Sequence, residues 1–346
     1  MSKQDHIFHF EGEFSLEAGA KLPGFQLKYT TAGQLNRERS NVVWVFHALT
    51  GSSDFTDWWK EFFTDDGPFN TNEYFIICAN ALGGCYGSTG PLSINPLTGK
   101  NYFHEFPLIT NRDIVASFDL LRQHLGIQKI NTIIGGSLGG QQAMEWSICS
   151  PEICENLILI ATNAKYSPWG IAFNEAQRMA IEADPTWKEN DVRAGADGLK
   201  AARAIGMISY RAYDGFKETQ SEANDDKIDD FRASSYQRYQ GQKLANRFNA
   251  YTYWRFSKAM DSHNVGRGRK SIEAALSEIK AKTLVVGIGT DFLFPVSEQK
   301  FLAEHIADAD LETIQSAYGH DGFLVEFDQF KMIVKKFLKK ATVPAN

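Results

Sequence analysis

Cysteine is scarce in this chain: Cys78, Cys85, Cys149 and Cys154 are the four among 346 residues, and no two form a CxxC pair. The opening Met1-Ser2-Lys3-Gln4-Asp5-His6 lacks the basic-then-apolar pattern of an export signal. Reduced thiols in a cytoplasmic protein are therefore the expectation. Apolar runs are short, and none reaches the ~18 residues of a membrane span. Positive charge is not in excess either. Lysine and arginine total 36 against 42 carboxylates, a formal net charge of −6. Such a surface disfavours polyanions, so neither nucleic acid nor an anionic membrane is expected as a partner. Cofactor signatures are missing too. There is no HExxH, and Gly135–Gly140 has neither the G-x-G-x-x-G spacing nor a Walker lysine. His6 and His9, three apart in a strand-like segment, would face opposite sides. No metal and no permanently bound cofactor is expected.

What is present is ordinary globular composition, 43% hydrophobic and 23% charged. A chain this long exceeds one small core, so a main domain with an insertion is expected. Phe8-His9-Phe10 and Phe25-Gln26-Leu27-Lys28-Tyr29 read as short antiparallel strands. Five further runs are apolar at almost every position: 41–46, 74–78, 132–134, 157–160 and 283–288. That pattern predicts strands buried on both faces, as in a parallel sheet covered by helices. Between them, Ile114, Phe118, Leu121 and Leu125 recur at helical spacing. The class is α/β. From 166 to 270 the pattern turns helical and aromatic, with the polar stretch 221–230 as an exposed loop. We expect 1–165 and 271–346 to form the core domain, with 166–270 a helical lid inserted between two halves of one sheet. Residues 327–340 predict an amphipathic helix with a solvated, lysine-rich outer face.

Gly135-Gly136-Ser137-Leu138-Gly139 follows one of these strands and precedes a helix-like segment. This is the G-x-S-x-G nucleophile elbow of α/β hydrolases in its strand–turn–helix context, whose glycines make room for a strained serine. A serine nucleophile needs a base, and the base a carboxylate, in the chain order Ser, Asp or Glu, His. Asp291 lies just beyond the strand-like run 283–288. Five of the eight histidines precede the serine. His263 falls in the insertion ahead of Asp291, and His305 sits on an expected helix, which leaves His320 in Tyr318-Gly319-His320-Asp321. The oxyanion hole calls for the N–H of Leu138 and of Leu49 in His47-Ala48-Leu49-Thr50-Gly51. His47 reads as a support for that loop. These residues fit serine acyl transfer and serine hydrolysis equally.

Longer segments narrow the choice. His47–Gly51, Leu82–Pro91, Ser93–Pro96, Ala202–Gly206 with Tyr210, Asp291–Pro295 and Gly319–Asp321 resemble the homoserine O-acetyltransferases, in register over about residues 12–330. The resemblance implies acetyl transfer from acetyl-CoA to the L-homoserine hydroxyl through acetyl-Ser137, with serine as the rival acceptor. It implies that Arg203 receives the amino acid's carboxylate and Asp321 its ammonium, with Tyr210 and Thr50 beside them. It also implies a homodimer through the insertion. Leu138 stands where many members have methionine, and Gly51-Ser52-Ser53-Asp54 departs from the commonest sequence. Succinyl-CoA users in this family tend to carry arginine two residues after the triad aspartate. This chain has Leu293, which implies an acetyl donor.

Overall fold

The computed structural model describes residues 2–341. Its centre is an eight-stranded sheet with strands β1 (Lys3–Phe10), β2 (Phe25–Ala32), β3 (Val42–Phe46), β4 (Phe75–Ala79), β5 (Ile130–Gly136), β6 (Cys154–Ile160), β7 (Lys282–Ile288) and β8 (Ala309–Ile314). Their order is β1-β2-β4-β3-β5-β6-β7-β8. The β1–β2 and β2–β4 pairings are antiparallel, and the rest are parallel.

The continuous apolar runs are explained by alternation across this sheet. Val42, Trp44 and Phe46 of β3 enter the core on one face, while Val43 and Val45 enter a second core on the other. On the first face lie α1 (Asn111–His124), α2 (Leu138–Cys149) and α8 (Val296–His305), through residues such as Ile114, Phe118, Met144, Trp146 and Leu302. On the second lies α9 (Phe327–Ala341), through Phe330, Val334 and Phe337. Helix α1 begins at a reciprocal capping box between Thr110 and Asp113, which fixes its start.

Strand β8 and the small ribbon 94–101 were not expected from the sequence, whereas the antiparallel ribbon 14–22 belongs to the strand-rich start. Strand β8 is an edge strand with charged, half-buried positions, and Glu312 and Asp310 pair with Lys336 and Lys340 of α9. Part of the lysine face of α9 is thus ion-paired. Edge strands carry such polar residues because one side of the ladder meets solvent.

Between β6 and β7 the chain forms α3 (Pro168–Glu182), α4 (Ala196–Tyr210), α5 (Tyr213–Gln220), α6 (Arg232–Ala245) and α7 (Ala250–Asp261). The entering and leaving segments are tied together by Tyr166 N–H to His263 C=O (3.0 Å) and Val265 N–H to Ala164 C=O (2.9 Å). The departing chain is clamped by charge. Glu145 on α2, with 2% of its side chain exposed, accepts from Arg112 at 2.8 Å and Arg269 at 2.5 Å. Glu17 binds Arg112 and Arg267. No helix among the described residues is long and apolar enough to cross a membrane. All four cysteines are free thiols.

Among the described residues, removing the buried anion from this clamp leaves Arg112 with Glu17 as its carboxylate partner and Arg269 without one. We expect Glu145→Gln to destabilise the fold by about 1–3 kcal/mol, since charge-assisted bonds to a buried carboxylate become bonds to a neutral amide. The measurement is the urea midpoint. Lys280→Gln, which breaks only the exposed pair with Glu152, should leave the midpoint where it is. Equal midpoints for both variants and the wild type would contradict a structural role for the clamp.

Candidate active site

Ser137 sits between the end of β5 and the start of α2 with φ 56° and ψ −123°. A non-glycine residue rarely adopts this conformation, and the surroundings must hold it. Here Ser137 N–H donates to Ile160 C=O (2.9 Å), and its carbonyl accepts from the Thr162 hydroxyl (2.9 Å) and Gln141 N–H (3.1 Å). The flanking glycines are dictated by space. A Cβ at Gly135 would lie 2.4 Å from the Gly139 carbonyl oxygen, and one at Gly139 2.5 Å from that of Phe46.

Two residues distant in sequence meet this serine. His320 Nε2 is 3.0 Å from Ser137 Oγ, and His320 Nδ1 is 2.6 Å from Asp291 Oδ2. Asp291 follows β7, and its other oxygen accepts the N–H groups of Leu293 and Phe294, each at 2.9 Å. Those bonds fix the carboxylate, and the Phe294 ring stacks on the imidazole at 4.9 Å. All three polar residues are buried. The arrangement has the geometry of a serine whose proton can pass to an oriented imidazole.

Leu138 opens α2, so its N–H belongs to the first helical turn, where donors lack intrahelical acceptors and favour negative charge. Leu49 and Thr50 line the cavity in front of Ser137. Their loop is pinned by His47, which is buried and therefore biased toward the neutral ring. Its Nε2 accepts from Ala81 N–H at 3.0 Å, and Nδ1 bonds the Ala48 carbonyl at 2.8 Å. His47 supports the loop, as its sequence position suggested. From the turn between α6 and α7, Arg247 donates to the Thr50 carbonyl at 2.7 Å.

The same cavity is lined by Arg203 and Tyr210 of α4, by Asp321, and by Leu293. Arg203 lies 5.4 Å over the Tyr210 ring. Burial raises the pKa of Tyr210 and, more than its neighbouring cations offset, that of the Asp321 carboxyl. Gly319 allows the His320 loop to lie against the end of α4. Its φ is +63°, and a Cβ there would come within 2.7 Å of Ala212 N. All ten residues singled out from the sequence therefore converge here, eight of them as cavity wall, with Leu138 and Asp291 behind it.

The sequence reading missed other wall residues. Asn174 and Gln177 are buried polar groups of α3 that face the cavity. With Arg178 and Ile181 they form an i, i+3, i+4, i+7 stripe, so polar residues on a core-facing helical stripe were the available signal. Arg211, the residue after α4, stands 3.1 Å from Asp321 Oδ2 and was also missed. Nothing in its sequence context signals this ion pair.

The model of the alpha/beta hydrolase fold family matches residues 41–327, and the chain belongs to that family. Homoserine O-acetyltransferase from Cyclobacterium marinum is 54% identical over 331 residues, covering 96% of this chain and 94% of the relative. The crystal structure of homoserine O-acetyltransferase from Bacillus anthracis superposes with a TM-score of 0.90 at 25% identity, covering 98% of both chains. An acetylester hydrolase from Corynebacterium glutamicum is similar at a TM-score of 0.85 and 25% identity, covering 97% of this chain and 96% of that one. The identity and coverage of the first of these make the chain a member of the homoserine O-acetyltransferase family.

A fluorophosphonate reports on the serine without assuming a substrate. We expect it to phosphonylate Ser137 with loss of fluoride in the wild type. In Ser137→Ala labelling should vanish, and in His320→Ala it should slow by about three to four orders of magnitude. Peptide mass mapping reads the result. Label on another serine, or full-rate labelling of His320→Ala, would contradict an activated Ser137.

Proposed function

We propose that this chain transfers the acetyl group of acetyl-CoA to the hydroxyl of L-homoserine, as a cytoplasmic step toward methionine. The observation that carries this reading is the pairing, in one cavity with Ser137, of a cation and an anion that suit the two ends of an amino acid: Arg203 and Asp321.

Ser137 Oγ attacks the thioester carbonyl as its proton passes to His320 Nε2. Asp291 holds the imidazole and stabilises its charged form. The N–H groups of Leu49 and Leu138 receive the oxyanion. Collapse breaks the C–S bond, and the imidazolium returns the proton to the departing thiolate. Homoserine then binds with its carboxylate on the Arg203 fork and its ammonium at Asp321, flanked by Tyr210 and Thr50. Its hydroxyl gives a proton to His320 and attacks the acetyl carbon, and Ser137 leaves with that proton. Acetyl-CoA is a co-substrate, and no resident cofactor enters.

Residues 166–270 serve as a lid over a core of 1–165 and 271–346. A homodimer through this insertion is part of the proposal. The exposed apolar side chains Met179, Ile208 and Tyr213 support it, because exposed apolar surface favours association. The likeness to an acetylester hydrolase supports a rival reading, hydrolysis by the same triad. A hydrolase of simple esters has no use for Arg203 and Asp321 together.

Two outcomes test the reading. Arg203→Ala should raise the homoserine KM about 30- to 1,000-fold, the equivalent of about 2–4 kcal/mol for a lost buried charge pair, while acetylation of Ser137 persists. Collapse of acetylation would instead make Arg203 structural. For the donor, apolar Leu293, 4% exposed, suits a methyl and leaves a succinyl carboxylate unpaired. Acetyl-CoA should exceed succinyl-CoA by about a hundredfold in kcat/KM, and Leu293→Arg should narrow the gap. Equal use of both donors by the wild type would refute the acetyl assignment.

A further inference from the structure

We infer that Arg211 is a positioning residue that stands behind Asp321 and keeps its carboxylate charged and available to the substrate's ammonium group. This rests on the reading of Asp321 given above. The two residues belong to different spaces. Asp321 lines the Ser137 cavity, whereas Arg211 lines a neighbouring apolar cavity with Ile208, Tyr213, Phe216 and Phe292. Arg211 Nε approaches Asp321 Oδ2 to 3.1 Å from that outer side. The approach is an ion pair without hydrogen-bond alignment, and Nε has no hydrogen-bond acceptor among the described residues. The contact therefore acts through charge and leaves the carboxylate's remaining lone pairs for another donor.

The pair is held from the backbone outward. Arg211 is the extended residue that ends α4, and its guanidinium lies 5.4 Å over the Tyr318 ring. A Cβ at Gly319 would come within 2.9 Å of the Arg211 carbonyl carbon. The close packing of these two segments sets the distance between the charges.

The other charges around Asp321 explain why a second cation is needed. Burial favours its neutral acid; Arg211, Arg203 and His320 oppose this, and Asp291 adds to it. The Tyr210 ring also faces it, as a neutral phenol. Once a substrate carboxylate occupies Arg203, that cation's charge is spent. His320 is neutral when it accepts the hydroxyl proton. Arg211 is the cation that remains beside Asp321 in the acceptor complex. Without it the neutral acid persists to higher pH, and a neutral acid gives an ammonium no counter-charge.

The test compares homoserine with 4-hydroxybutanoate, which has the same hydroxyl and carboxylate but no ammonium. The ratio of their kcat/KM values cancels the pH dependence of the chemistry that both acceptors share. In the wild type the ratio should be large and flat from about pH 6 to 8. In Arg211→Gln it should fall about twofold or more at about pH 6, the loss expected once half of the carboxyl is protonated there, and recover as pH rises and Asp321 ionises. Arg211→Lys should keep the wild-type ratio. Acetylation of Ser137 by acetyl-CoA should proceed normally in both variants. A wild-type, pH-flat ratio in Arg211→Gln overturns the inference. So does loss of acetylation in parallel, which would mark Arg211 as a structural residue. Asp321→Asn separates this from the underlying reading. It should abolish the ratio at every pH, and an unchanged ratio there would show that Asp321 does not bind the ammonium at all.

Discussion

The backbone at Ser137 is held in a conformation that alanine-like residues avoid, and most of the site is built from what that requires. A positive φ at the end of β5 turns the chain into α2 and lifts Oγ off the sheet. The turn is tight enough that Gly135 and Gly139 have backbone atoms where side chains would be. Strand β6 supplies the Ile160 carbonyl that pins the Ser137 N–H, and Thr162 just beyond it pins the serine's carbonyl. The sheet thus holds the strain, and parallel neighbours β5, β6 and β7 bring Ser137 and the Asp291 turn to the same edge.

A second constraint is that part of the cavity wall comes from a distant stretch of the chain. Arg203 and Tyr210 ride on α4, while Asp321 follows His320 on the core. The two parts register through Gly319 against the end of α4, and through Arg247 on the Thr50 carbonyl. The charged clamp of Glu145 and Glu17 holds the chain as it leaves the insertion. The shape of the cavity in front of Ser137 therefore depends on packing between helices α3–α7 and the sheet, and not on the triad alone.

Much of this was legible in the sequence because its physics is local. The β3, β5, β6 and β7 runs are apolar at almost every position, since both faces of these strands are covered. The elbow is readable because only glycine fits beside Ser137, and His320 was reached by chain order. Strand β8 was not readable, because Asp310 and Glu312 on a solvent edge resemble a loop. Asn174 and Gln177 were legible only as polar positions on the core-facing stripe of α3, and Arg211 was not legible at all, for a related reason. A polar residue is normally a surface residue, and its burial here is set by partners far away in sequence. The substrate roles of Arg203, Tyr210 and Asp321 came from family resemblance; their convergence on one cavity came from the fold.

The central claim is that Ser137 carries the acetyl group and homoserine removes it. Single-turnover mixing with isotopically labelled acetyl-CoA, followed by quench and peptide mass analysis, tests it directly. The account requires a labelled acetyl on the Ser137 peptide at stoichiometric level. On addition of homoserine the label should leave that peptide at the rate at which O-acetylhomoserine appears, and much faster than free acetate forms. A label that never resides on Ser137, or one that departs as acetate at a rate homoserine does not change, would contradict it.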